Sequence, residues 1–108
     1  LEMFVFQGTN RNRTAALADI VLPSAVYAEK EGTFTNLEGR VQRLHAALEP
    51  WGESRPDWEI LGALAARLDL SVAFVDAPSM FSELAGREAA FRGLSYDVIG
   101  EQGALVST

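Results

Sequence analysis

The 108-residue sequence contains no cysteine. Disulfides, thiolate zinc sites and cysteine-ligated iron–sulfur clusters within this chain are therefore excluded. Its single histidine, His45, stands between Leu44 and Ala46 with no partner at a diagnostic spacing. One imidazole alone builds neither a histidine-rich metal site nor a catalytic pair, so His45 is read as structural. No apolar run reaches the roughly 18 residues that a membrane-crossing helix needs, and no secretory signal pattern is read at the start. P-loop, HExxH and GxSxG motifs are absent. Positive charge is scarce: nine Lys and Arg face fifteen Asp and Glu, for a net charge of −6. Residues 1–47 hold five basic and five acidic groups, whereas residues 48–108 hold four and ten. This balance argues against nucleic acid as a partner, because phosphate binding needs a concentrated basic face. The acidic second half reads as a solvated surface.

What is present suits one α/β domain. The apolar fraction of 48% is ordinary for a globular chain, and this length buries about 60–68% of the unfolded surface. Met3-Phe4-Val5-Phe6 predicts a strand that Gln7-Gly8-Thr9-Asn10 ends. Thr9, Asn10 and Asn12 are the candidates to cap a short helix over Ala15–Ala18, which Asp19 ends. Ile20-Val21-Leu22 predicts a second strand, closed by Pro23. Strand, helix and strand within residues 1–24 form a compact βαβ unit with parallel strands. Ligands of such sheets bind beyond the carboxyl ends of the strands, here Gln7-Gly8-Thr9 and Pro23-Ser24.

Residues 25–45 predict a bend and a β-hairpin: Thr33–Asn36, a loop ending in Gly39, then Arg40–Leu44 in period-two alternation. Phe34, Val41 and Leu44 are expected to face a core. Residues 46–108 are expected to be mainly helical. Ile60, Leu61, Leu64, Ala65 and Leu68 form an apolar stripe on a helix over Trp58–Leu68. Leu70–Val75 is an extended or edge segment. Ser79 is expected to cap a helix through Phe81, Leu84 and Ala85, and the chain from Arg92 onward is expected to be irregular. Asp57 is read as the cap of the first long helix, a role worth about 1 kcal/mol. The bend Glu29-Lys30-Glu31-Gly32 is read from its residues alone as a solvated turn whose acids partly neutralise the lysine. Glu29, Glu31 and Glu38, gathered near one bend, carry little signal for a pair of catalytic carboxylates. Trp51 and Trp58 read as core or interface anchors.

Three segments carry a resemblance: ADIVLPS at 18–24, AEKEGTFTNLEGRVQR at 28–43 and SRPDWEIL at 54–61. Together they resemble the molybdopterin oxidoreductase family, closely from Thr14 to Leu68 and loosely from Phe81 to Gly103. Within that family the pattern is most similar to the large iron–sulfur subunit of NADH–quinone oxidoreductase (complex I).

The resemblance implies that residues 1–108 are one fragment of a Rossmann-like α/β domain of a larger subunit. It implies a structural part in electron transfer from NADH to quinone, with no catalytic residue in this chain and with iron–sulfur clusters elsewhere in the parent. The implied partners are other domains of the same subunit and other complex I subunits, at the cytoplasmic side of a bacterial inner membrane and without insertion into it. Self-association of the isolated piece through an uncovered apolar edge and face is also expected. The alternative implied reading is a formate dehydrogenase-like enzyme holding molybdopterin guanine dinucleotide. In cofactor-bearing relatives the lysine of the EKEG motif and the aspartate of the downstream motif contact that dinucleotide, positions that Lys30 and Asp57 match. A carboxylate suits guanine because it accepts from the ring N–H and the exocyclic amine together, and a lysine suits a phosphate or pterin as a mobile point charge. Two departures favour the complex I reading. Gln7-Gly8 stands where such relatives place an acid, and Gly39 stands where they place an arginine. On that reading Arg40 and Gln42 lock the hairpin onto neighbouring backbone carbonyls.

Overall fold

The computed structural model describes residues 1–71 and 75–107. It is mixed α/β: a two-stranded parallel sheet, a three-stranded antiparallel sheet and helices. The chain divides into two units, Leu1–Lys30 with Ala46–Val72 and Glu31–His45 with Ala73–Thr108.

In the first unit, β1 (Val5–Gly8) and β2 (Ile20–Pro23) pair in parallel, from Val5↔Ile20 to Gly8↔Pro23. β1 begins two residues later than the apolar run suggests. The Phe4 N–H donates to the Asp19 carboxylate (2.7 Å) and the Phe4 carbonyl accepts from the Asp19 N–H (2.9 Å), so Phe4 is a latch at the entrance of the ladder. The crossover is a single 3-10 turn, Ala15–Leu17, in place of the expected α-helix. Asn12 starts it, its side-chain oxygen accepting from the Ala15 N–H at 2.9 Å, which satisfies one of the orphan donors of a helical start. Beyond β2 the ladder continues. The Ser24 N–H donates to the Gly8 carbonyl, the Arg55 N–H to the Pro23 carbonyl and the Ala25 N–H to the Arg55 carbonyl. This short parallel bridge between Ser24 and Arg55 delivers α1 (Asp57–Arg67) to the carboxyl ends of both strands. The predicted apolar stripe of α1 exists, but no residue of this helix is buried, and Leu61, Leu64 and Leu68 stay about half exposed. Of the segment Leu70–Val75 expected to be extended, residues 72–74 lie outside the described residues, and Leu70, Ser71 and Val75 are in no strand.

In the second unit, β3 (Gly32–Thr35) and β4 (Arg40–Leu44) form the predicted hairpin. Its loop is built by Asn36, whose side-chain oxygen accepts from the Glu38 and Arg40 N–H groups at 3.0 and 2.9 Å. Gly39 closes it at φ +78°, a conformation that side-chain-bearing residues adopt at a cost. The register corrects the expected core face. Phe34 pairs with Gln42 and Val41 with Thr35, so Phe34 and Val41 point to opposite faces of the sheet. Val41 is fully buried and Phe34 is 58% exposed.

Helix α2 (Ala77–Arg87) starts one turn before the expected cap. Asp76, not Ser79, occupies the cap position. Its carboxylate accepts from the Ser79 N–H (2.8 Å) while the Ser79 hydroxyl accepts from the Asp76 N–H (3.2 Å), so the two residues satisfy each other's donors. Bonding from the Ser79 N–H, then from its hydroxyl, lowers the Asp76 pKa below its ordinary value. The tail expected to be irregular holds α3 (Tyr96–Ile99) and β5 (Ala104–Leu105). Ser95 caps α3 through Val98, and β5 pairs antiparallel with β4. Arg40 reaches the Gln102 and Gly103 carbonyls at 3.5 and 3.4 Å, the locking role expected of it; Gln42 makes no side-chain hydrogen bond among the described residues. Val41, Phe81 and Ile99 form the buried cluster, with Phe91, Leu94 and Tyr96 packed against it. Phe81 meets the rings of Phe91 and Tyr96 edge-on, at centroid distances of 6.0 and 5.8 Å.

Candidate cofactor-binding site

The chemistry of the first unit gathers where its two parallel strands end. Gln7 is the penultimate residue of β1, Ser24 follows β2, Lys30 follows a 3-10 turn over Tyr27–Glu29, and Asp57 opens α1. Asp57 Oδ1 accepts from Gln7 Nε2 and from Ser24 Oγ, both at 2.7 Å. Gln7 Nε2 also donates to Ser24 Oγ at 3.2 Å. Asp57 Oδ2 accepts from Lys30 Nζ in a charge-assisted hydrogen bond. The carboxylate thus holds three donors drawn from three other segments of chain.

Asp57 does not cap its helix, as the sequence led us to expect. Pro56 stands at the cap position without a side-chain bond, and Asp57 is the first helical residue. Its carboxylate turns away from the helix's own N–H groups because Gln7, Ser24 and Lys30 offer it an amide, a hydroxyl and an ammonium. The helix start still favours an anion there. Burial by itself raises the Asp57 pKa and is the largest single influence. The hydrogen bonds from Lys30, Ser24 and Gln7, with the Lys30 charge, together outweigh it and bring the pKa down to about 2 from 3.8.

Of the two site residues expected from sequence, the fold brings Lys30 and Asp57 into direct contact across 27 positions of chain. Lys30 is no solvated turn residue, since its side chain is only 22% exposed against 45% for Asp57. Gln7 and Ser24 were noticed as strand ends but not as partners of Asp57. The available signal was the strand-end rule itself, applied to both ends at once. The missing acid at position 7 also acquires a reason. A carboxylate there would face Asp57 Oδ1, whereas the Gln7 amide donates to it. Gln7 Nε2 donates to both Asp57 Oδ1 and Ser24 Oγ, and Ser24 is buried.

The other candidates lie elsewhere. The bend acid Glu29 accepts from the Val26 N–H at 3.1 Å and closes its own turn. His45, in the second unit, is half exposed and 3.9 Å from the Glu101 carboxylate. Trp51 is 85% exposed, so it anchors nothing among the described residues, and Trp58 is half-buried. No group of three or more His, Asp or Glu among the described residues could hold a metal ion. A groove of about 400 Å³ runs along β2 and α1, lined by Leu22, Pro23, Ile60, Ala63, Leu64 and the charged side chains of Glu53, Arg55 and Arg67. None of the four cluster residues lines it.

Comparison with known proteins identifies the family. Residues 1–67, which contain all four cluster residues, match the family described as Molybdopterin oxidoreductase. A protein of Bacillus subtilis (strain 168) named "Putative formate dehydrogenase YrhE" is 43% identical over 99 residues, 92% of this chain. A protein of Staphylococcus aureus (strain USA300), also named "Putative formate dehydrogenase", is 43% identical over 97 residues, 90% of this chain. The chain spans about a tenth of the length of these curated relatives (10% in both cases). The names support the formate dehydrogenase reading better than the complex I reading, for which these comparisons supply no support.

Proposed function

The chain belongs to the molybdopterin oxidoreductase family, and from that premise we propose that it is part of a formate dehydrogenase-like enzyme in which Lys30 and Asp57 contact the guanine dinucleotide portion of a molybdopterin cofactor. The observation that carries this reading is the cluster itself: a half-exposed carboxylate and a lysine held together at the carboxyl ends of parallel strands. The residues present fit such a group. Asp57 is an acceptor that stays ionised across the neutral range, and a guanine edge offers adjacent N–H donors that a carboxylate accepts as a pair. Lys30 brings a positive charge on a flexible stem, suited to a phosphate or to the pterin. When bound, molybdopterin guanine dinucleotide supplies the two-electron redox chemistry of formate oxidation. The part of this chain is to bind and orient. Gln7 and Ser24 hold the Asp57 carboxylate in one orientation, and the Ser24–Arg55 bridge holds the start of α1 against the strand ends. In the parent, the half-exposed stripe of α1 is taken to face other segments of the same polypeptide.

A titration with GMP, followed by backbone amide NMR, tests the reading. Saturable shifts centred on Gln7, Ser24, Lys30 and Asp57, absent with AMP, are expected. Equal and non-saturable responses to both nucleotides at millimolar concentration would remove guanine recognition from this site.

A further inference from the structure

The first unit carries an exposed indole beside an open apolar groove. The turn over residues 49–54 is anchored at both ends. The Ala47 and Leu48 N–H groups donate to the Ala28 carbonyl at 2.8 and 2.9 Å, and the Arg55 N–H donates to the Pro23 carbonyl. Inside the turn the Ser54 N–H and hydroxyl both donate to the Trp51 carbonyl, at 3.1 and 2.8 Å, and Gly52 bends the chain at φ +61°. Trp51 is thereby held out from the surface, 85% exposed, with exposed Leu48 and Glu49 before it. A ring presented by an ordered turn loses little further chain entropy on binding. Two residues on, Glu53 stands on the rim of the groove of about 400 Å³ along α1, which Trp51 does not line. Ile60, Ala63, Leu64 and Arg67 recur at the spacing of one helix face and form its wall, with Leu22 opposite. Leu61 and Leu68 do not line it. The side chains of Arg55 and Arg67 border this apolar surface, and neither makes an ion pair among the described residues.

We propose that a second copy of this chain occupies the groove: the Trp51 ring of each protomer seats against Leu22, Ile60 and Leu64 of the other, and the Glu49 carboxylate beside it meets Arg67. The two surfaces are complementary in charge as well as polarity, an apolar ring flanked by a carboxylate against an apolar wall flanked by guanidinium groups. They also lie side by side on one unit. Two copies related by a two-fold axis therefore exchange rings reciprocally, and every contact is made twice. An indole seated in an apolar pocket is the kind of anchor that carries most of an interface's energy. At a net charge of −6 two copies repel each other at long range, and the arginine rim is where that repulsion is locally reversed. This contact is independent of the cofactor reading, since none of Gln7, Ser24, Lys30 and Asp57 lines the groove.

The test is sedimentation velocity of the whole chain over a range of concentrations, with tryptophan emission read on the same samples and the amide spectrum as the check of fold. The parent chain dimerises as its concentration rises, and its emission moves to shorter wavelength as Trp51 leaves water. Trp51→Ser weakens dimerisation about tenfold or more and abolishes the emission shift. Arg67→Glu and Glu49→Arg each weaken it about fivefold or more, because each sets like charges against one another twice in the dimer. An equimolar mixture of those two variants dimerises again, since the mixed pair restores an opposite-charge contact at both grooves. Recovery on mixing cannot come from a folding defect in either variant. A parent chain that stays monomeric at millimolar concentration overturns the proposal. So does a dimer that Trp51→Ser leaves intact, or a mixture no tighter than its separate components.

Discussion

The two units of this chain are held together by different physics. Among the described residues, the first unit buries Ala15, Ser24 and Ala25, none of them large. Its order comes from a parallel ladder, the Phe4–Asp19 latch, the Ser24–Arg55 bridge and a polar cluster around one carboxylate. Val5, Ile20, Val21 and the α1 leucines stay substantially exposed. The second unit buries Val41, Phe81 and Ile99 and closes the rings of Phe91 and Tyr96 around them. Apolar burial is non-directional and roughly proportional to area, so it builds a core but aims no functional group. Hydrogen-bonded polar clusters give less net stability and fix geometry. The unit carrying the family's candidate contacts is the one whose architecture fixes the position of a carboxylate.

The largest test of this contrast is Phe81→Ala. A buried aromatic with two edge-on neighbours should cost about 3–5 kcal/mol, read as a lower urea midpoint with amide protection lost through α2 and β4. A loss below about 1 kcal/mol would mean that the Val41–Phe81–Ile99 cluster is not what holds the second unit. Next is Gly103→Ala. Gly103 sits at φ +76°, and a Cβ there would stand 2.6 Å from the Val41 carbonyl oxygen. Strain and the forced backbone shift should cost about 2 kcal/mol, with exchange rising at the β4–β5 pairing.

Asp57→Asn probes the polar cluster and is smaller. The Asp57 pKa is about 2 in the folded chain and 3.8 ordinarily. Its contribution is therefore complete above pH 3.8 and is lost as pH falls through 3.8 toward 2. After discounting for solvent screening at a half-exposed carboxylate, the expected difference at neutral pH is about 1 kcal/mol. The urea midpoints of parent and variant should converge as the pH is lowered across that window. A gap that persists unchanged at pH 2 would assign the loss to packing, not charge. The smallest effect is expected from Leu64→Gln. On a half-exposed helix face it should move the midpoint by no more than about 0.5 kcal/mol. The same substitution should lower any self-association seen by sedimentation velocity, since that face is the apolar surface of the first unit.

Legibility in the sequence followed the range of the interaction. The hairpin was readable because Asn36, Gly39 and the alternation of Arg40–Leu44 act within a few residues. The α1 stripe was readable because helical periodicity is local, although its exposure was not. Phe34 was misassigned because its face depends on a cross-strand register that the loop sets. The end of the chain was expected to be irregular because β5 is only two residues long and exists by pairing with β4, more than sixty positions earlier. Within the site, Lys30 and Asp57 were legible through their motifs. Asp57 was nevertheless taken for a cap, since an acid before a helix has a local use and its actual donors, Gln7, Ser24 and Lys30, lie 50, 33 and 27 positions away.

By itself, the sequence determined the kind of element each segment prefers, the absence of thiol chemistry, and three segments that carry a family resemblance. Those properties are set by side-chain type and short-range spacing. Only the tertiary structure decided that a glutamine, a serine and a lysine converge on one aspartate, and which oxygen each of them holds. A carboxylate accepts from whichever donors the folded chain brings within reach, and no spacing rule along the sequence encodes a meeting of four separate segments.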